Sequence, residues 1–281
     1  MSDLKETMPE YWEATRPFHR NAICLTADPE AVCPVGSSRL GGLPDFSPET
    51  RWPRRENGSP MSFLAQFNLS ECAPYDLGHE LPDHGMLYFF ADADQAEGTM
   101  PWGFDPEDAD GFRVLYDDSP AEALTPAQAP AELEREEDED RLVFEQTALR
   151  FHCETELPDL ESDLVQELSF SEEEEEAYYQ YLDGLDEESD TRSKLLGHAN
   201  VIQSGMELEC ESVTCGINMG EANPGIRSTE RANHWRLLFQ LDSEEDLGMM
   251  WGDMGKLFFW IRQEDLKARR FEKSWMILQC C

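Results

Sequence analysis

Phe63-Leu64-Ala65-Gln66-Phe67-Asn68 returns 174 residues later as Leu237-Leu238-Phe239-Gln240-Leu241-Asp242, with the glutamine at the same place. Each hexapeptide reads as a strand, apolar with one polar residue inside it. A second pair follows the first: Asp83-His84-Gly85-Met86-Leu87-Tyr88-Phe89-Phe90 matches Asp253-Met254-Gly255-Lys256-Leu257-Phe258-Phe259-Trp260 at an offset of 170. A looser match joins Leu40-Gly41-Gly42 to Leu196-Gly197-His198. The order is kept and the offsets drift little, as duplication followed by changes in loop length would leave them.

Each unit is a strand, an Asp-x-Gly turn and an aromatic strand whose buried run needs a second layer over it. One copy cannot cover itself. The expected architecture is therefore α+β: a mostly antiparallel sheet with covering helices, in one domain over residues 1–281 built from two pseudo-symmetric half-repeats, 33–92 and 194–262. Residues 206–219 offer one covering helix, with Met206, Cys210, Val213 and Ile217 at helical spacing, Cys215 off the stripe and Gly220 at the end.

Between the half-repeats, residues 93–190 read as an acidic insertion. The chain carries 60 acidic and 22 basic residues, a formal charge of −38. Of those acids 34 fall in residues 92–190, against only four arginines there, so the charge is a local face rather than a general adaptation. This balance excludes ordinary electrostatic capture of nucleic acid or of an anionic membrane. Two runs concentrate it: Glu136, Glu137, Asp138, Glu139 and Asp140, then Glu172, Glu173, Glu174, Glu175 and Glu176. Such runs commonly serve as solvated faces; here they also suit a surface for a basic protein. Ser171 and Glu174 make a capping box, which predicts a helix over 171–182 stopped by Asp183-Gly184. Phe112-Arg113-Val114-Leu115-Tyr116, Leu142-Val143-Phe144 and Ala148-Leu149-Arg150-Phe151 read as short strands, and residues 120–132 as an Ala/Pro-rich loop.

Several chemistries fail on spacing. The longest apolar runs, residues 86–91 and 257–261, are far short of the roughly 20 residues of a membrane helix, and residues 1–20 lack the apolar centre of a secretory signal. Eight cysteines without a Cys-x-x-Cys read as reduced thiols, which makes a cytoplasmic location the expectation. The six histidines are scattered, so no metal site is read from them and no cofactor is expected. Residues 106–117 have Asp108, Asp110 and Gly111 at calcium-loop positions, but Pro106 stands where the first ligand belongs, so an acidic turn is the better reading. Gly252-Asp253-Met254-Gly255-Lys256 lacks the first glycine and the Ser/Thr of a phosphate-binding loop, and Gly-x-Ser-x-Gly is absent.

The ordered motifs Leu40-Gly41-Gly42-Leu43-Pro44, Arg51-Trp52-Pro53, Ser62-Phe63-Leu64-Ala65-Gln66-Phe67 and Leu81-Pro82-Asp83-His84-Gly85 resemble the YwqG-like family of uncharacterised proteins. In the second half Leu195-Leu196-Gly197-His198-Ala199-Asn200 and Met249-Met250-Trp251-Gly252-Asp253 agree, so the resemblance covers residues 33–265. It implies a mixed α/β domain around antiparallel sheet and no catalytic residues to carry over.

The expected function is that of a non-enzymatic interaction protein whose acidic side meets a basic partner, in the manner of an immunity protein or antitoxin. The alternative is a small-ligand binder or hydrolase-type enzyme at the seam between half-repeats, where equivalent turns would gather Arg39, Asp83, His84, His198, Trp251 and Asp253. An open polar pocket at that seam would favour it; a seam filled by Phe63, Phe67, Leu237 and Phe239 would remove it.

Overall fold

The computed structural model describes residues 9–95, 97–134, 142–165, 168, 171–186, 192–219 and 229–281. The strands are β1 (Arg20–Asp28), β2 (Arg39–Leu40), β3 (Asp45–Phe46), β4 (Ser62–Asn68), β5 (Met86–Ala91), β6 (Phe112–Asp117), β7 (Thr125–Pro126), β8 (Thr147–Glu156), β9 (Lys194–Leu196), β10 (Trp235–Asp242), β11 (Lys256–Arg262) and β12 (Trp275–Gln279). The helices are α1 (Pro9–Thr15), α2 (Leu69–Cys72), α3 (Glu172–Asp186), α4 (Glu207–Thr214), α5 (Thr229–Ala232) and α6 (Gln263–Lys267). Ten strands form one antiparallel sheet in the order β12-β11-β10-β9-β1-β8-β2-β4-β5-β6, and β3 pairs with β7 apart from it.

The helix-covered α+β architecture is not what forms. The sheet curls into a nearly closed barrel with few helices, only α3 exceeding eight residues among those described. The physical reason lies in the strands themselves. Along β5, Leu87, Phe89 and Ala91 face the interior cluster, where Phe89 meets Phe239 of β10 and Phe259 of β11 at 4.6 and 5.0 Å between ring centroids. Met86, Tyr88 and Phe90 face the other way, into a cluster closed by Phe46 of β3 and by Met61 and Leu124 from loops. The sheet is thus its own second layer on the inside, and loop side chains do outside what helices were expected to do. One helix, α4, does lie against β10, with Glu211 Oε2 accepting from Trp235 Nε1 at 3.1 Å.

The two hairpins repeat in detail. The β4–β5 register slips between Phe63 and Ala65, and the β10–β11 register slips between Leu237 and Phe239, so Leu64 and Leu238 are matching bulge residues. Gln66 Oε1 accepts from Asp45 N at 2.8 Å while its Nε2 donates to Ser37 O and Asp45 Oδ2. Gln240 Oε1 accepts from Asn200 N at 2.9 Å while its Nε2 donates to Arg192 O and Asn200 Oδ1. These buried amides are spent on pinning a loop to the sheet, so their recurrence needs no catalytic account. The pairing also shifts the looser sequence match by one residue: Leu40 lies opposite Ala65 and Leu195 opposite Phe239, which sets Gly41 against Leu196 and Gly42 against Gly197. The backbone agrees, with φ of 62° and 60° for the first pair and 70° and 75° for the second.

The acid-rich stretch does not stand apart from the sheet. It supplies β6 and β8, and β8 joins β1 to β2 near the middle of the sheet. The strands read at Phe112 and Ala148 are present, whereas Leu142, Val143 and Phe144 form no strand. The capping box forms, Ser171 N donating to Glu174 Oε2 at 2.8 Å and Glu174 N to Ser171 Oγ at 3.3 Å, but the helix runs past Gly184 to Asp186 because one glycine costs only about 1 kcal/mol. Helix α4 ends at Thr214, ahead of Gly216 with φ of 85°, and Gly220 lies outside the described residues. Cys210 packs inward and Cys215 is exposed.

Candidate functional site

None of the cavities described brings two of the six seam residues together. Arg39 is buried and committed to Asp45, Nη2 to Oδ2 at 2.5 Å. Asp83 and His84 form an exposed pair on the turn before β5, at 2.6 Å. Trp251 is fully buried against Phe144 and donates to Asp242 O, while Asp253 is exposed. His198 is buried, its Nε2 2.6 Å from Phe18 O. The seam itself is filled by Phe67, Phe89, Phe239 and Phe259, which leaves no open polar pocket between these rings among the described residues. Of the acidic surface, Glu136, Glu137, Asp138, Glu139 and Asp140 lie outside the described residues, and Glu172, Glu173, Glu175 and Glu176 stand exposed on the first turns of α3, Glu174 being half-buried by its cap.

The largest described cavity, about 780 Å³, lies elsewhere, among four segments remote in sequence. Residues 17–20 form one wall, running through the lip at Phe18 to Arg20 at the start of β1. The turn 78–82 forms a second. Asn233 and Arg236 come from the α5–β10 junction, and Gln263, Lys267 and Arg269 from α6 and its exit. Arg20, Arg236, Lys267 and Arg269 face one acid, Glu80. In a chain with 60 acids to 22 bases, that local ratio is inverted.

Arg20 lines the cavity, with its Nη1 out of solvent and without a hydrogen-bond partner. Its neighbour across the β1–β8 ladder, Glu156, is already taken: Oε1 holds Lys194 Nζ at 2.7 Å and Oε2 accepts from His198 N at 2.8 Å. Burial, and then the positive charge of Arg236, pull the Arg20 guanidinium down to about 10, the direction expected when two cations share a pocket without enough counter-charge. Arg236 is braced by donating Nη1 to Asn233 O at 2.8 Å and Trp235 O at 2.9 Å, and its nearest carboxylate is Glu80 at 3.9 Å. Burial, and then Arg20, hold the His198 imidazole well below its usual range. It is therefore neutral, and it donates Nε2–H to Phe18 O, fixing the lip without adding charge. Two of the four non-glycine residues with positive φ among the described residues, His79 at 51° and Arg269 at 56°, stand on this rim. Left-handed backbone costs such residues roughly 1 kcal/mol each and tends to persist where geometry matters.

Behind the Phe18 lip, burial and the Glu207 carboxylate push Asp163 up to about 6, and burial with Asp163 pushes Glu209 up to about 8. The sign follows from proton uptake: the native state keeps the Glu209 proton to about pH 8, while the unfolded chain loses it near 4.5. This contribution to stability is whole below 4.5 and is lost as pH rises towards 8. Glu209→Gln is expected to leave stability unchanged near pH 4.5 and to raise it by about 1–3 kcal/mol at pH 8. Urea titrations at the two pH values check this; equal effects at both would mean the carboxyl is ionised throughout.

Sequence reasoning missed this cleft because its cations are single residues with no common spacing. The one available signal was their rarity: each sits in the poorly charged ends of the chain rather than in the acid-rich middle.

No curated protein matches the chain. A family model described as a domain of unknown function, DUF1963, matches residues 38–280, which takes in β2 to β12 and leaves out β1 and Arg20. That span is most of the chain, and the protein belongs to the DUF1963 family.

Proposed function

We propose that the protein binds an anionic small molecule, one bearing a phosphate or carboxylate group, in the cleft between β1, the 78–82 turn, the start of β10 and α6. The observation that carries this reading is a cavity lined by four cations, Arg20, Arg236, Lys267 and Arg269, against one acid, Glu80. A guanidinium fork matches either oxyanion in a bidentate way, and an anion between Arg20 and Arg236 would relieve their mutual repulsion. A volume of about 780 Å³ suits a metabolite-sized ligand. Within the DUF1963 family, the motifs at 40–44 and 62–67 support a YwqG-like type, and the matched bulges and buried glutamines of the two hairpins support two ancestral copies.

The test uses the full chain and three probes: inorganic phosphate, citrate and a nucleoside triphosphate. At least one is expected to raise the melting temperature and to titrate calorimetrically. Arg20→Gln and Arg236→Gln should each weaken it about 10–100-fold, the worth of one charged hydrogen bond. Rim-exposed Lys267→Ala should cost about threefold or less. Absence of binding by all three probes, or affinity unchanged in Arg20→Gln, defeats the proposal.

A second reading keeps the acidic surface as the docking face for a basic protein, favoured by the exposure of Glu172, Glu173, Glu175 and Glu176 on one end of α3. Such a partner would cover α3 and leave anion binding in the cleft untouched.

A further inference from the structure

On the outer face of the sheet, one pair of strands assembles three residue types that no sequence spacing joins. Cys24 of β1 lies directly opposite His152 of β8, and Glu154 follows two residues on, on the same face as His152. A ligand atom from each lies within 4.8 Å of the others. His152 Nε2 and Glu154 Oε1 stand 3.3 Å apart. The edge of a tetrahedron of ligands about 2.0–2.1 Å from a zinc-type ion is roughly 3.3–3.4 Å, so these two atoms already have ligating separation.

We propose that Cys24, His152 and Glu154 form a three-ligand site for a divalent transition metal of the zinc type, with a fourth position open to water or a small ligand. The donor set combines a thiolate, an imidazole and a carboxylate, a mixture that favours zinc-like ions over calcium or magnesium, which take oxygen ligands. Charge balance supports it. Lys194 lies opposite Cys24 on the other side of β1 and is bound to Glu156. A Cys24 thiolate with Glu154 and Glu156 against the two nearby cations, Lys194 and Arg192, leaves one net negative charge, the sign that favours a cation there. Without metal, burial together with Glu156 and Glu154 pushes the thiol up to about 12, so it is protonated and unreactive, and binding metal displaces that proton. The site stands on the outer face and uses none of the cleft residues, so neither proposal depends on the other.

Cobalt(II) is the probe, added to the reduced full-length protein after chelation. The expected result is one equivalent bound with a thiolate-to-cobalt charge-transfer band and the intense visible bands of a four-coordinate ion. Zinc should bleach both. Cys24→Ser should abolish the charge-transfer band. His152→Ala and Glu154→Gln should weaken cobalt binding about tenfold or more. Cys153→Ser, the exposed thiol on the opposite face, should change nothing. Loose binding by surface carboxylates yields no charge-transfer band. A wild-type protein without that band, or a band undiminished in Cys24→Ser, overturns the proposal. Should Cys24→Ser fail to fold, His152→Ala decides alone: its side chain is 53% exposed, so a variant with native circular dichroism and unchanged cobalt affinity also overturns it.

Discussion

Gly103→Ala is expected to cost about 3–5 kcal/mol, whereas Gly58→Ala costs about 1 kcal/mol. Both glycines have nearly the same left-handed backbone, φ of 88° and 92°, so the penalty for placing an L residue there is shared. Their surroundings differ. A Cβ at Gly103 would lie 2.2 Å from Met276 O and 2.8 Å from Ile277 Cα, both backbone atoms of β12, while a Cβ at Gly58 meets nothing within 4 Å. The close approach occurs where the barrel closes. β6 and β12 end the sheet without pairing, and the gap is bridged by Phe112 on Trp275 at 5.3 Å, by Trp275 Nε1 donating to Gly103 O at 3.0 Å and by Leu278 N donating to Trp102 O at 3.0 Å. Urea midpoints for the two variants isolate the clash from the strain, and faster hydrogen exchange at Leu278 in Gly103→Ala would place the damage at the closure. Equal losses at the two positions would show that the backbones do not touch.

Phe239→Ala should be comparably damaging, about 3–5 kcal/mol, because its ring meets both opposed parts of the sheet. It packs on Phe67 at 5.1 Å, Phe89 at 4.6 Å and Phe259 at 6.0 Å. Removing it leaves a void bounded by three rings fixed in three strands, which cannot all move inward together. Phe239→Leu fills most of that space and should cost about 1–2 kcal/mol. A loss below about 1 kcal/mol for the alanine variant would mean that the interior is already loose there.

The strands β4, β5, β10 and β11 were legible because each is a compact apolar run with a turn signal beside it, and because the glutamine recurs. What the sequence could not show was the cover. Phe90 and Phe89 look alike on paper, yet one is covered by loop residues and the other by the opposite part of the sheet, a distinction made only by how the sheet curls. The same limit explains the acid-rich middle: the short strand read at Ala148 extends over Thr147–Glu156, where partly exposed and buried positions mix without alternation along a central strand. For function, turn motifs drew attention to Asp83, His84 and Asp253, whose side chains stay at the surface. Arg20, flanked by nothing unusual, owes its position to the ladder partner that Lys194 and His198 have already claimed. Cys24 and His152, 128 residues apart, meet only through the β1–β8 register.

That register has a practical corollary. β1 is the keystone of the sheet: it matches nine residues of β8 on one side and three of β9 on the other. A fragment trimmed to begin after β1 would retain both aromatic hairpins, yet it would be cleft down the middle, with two raw ladders facing outward where the missing strand belonged. Such a fragment would invite association through those open edges, and soluble expression should be sought with the first strand kept in place.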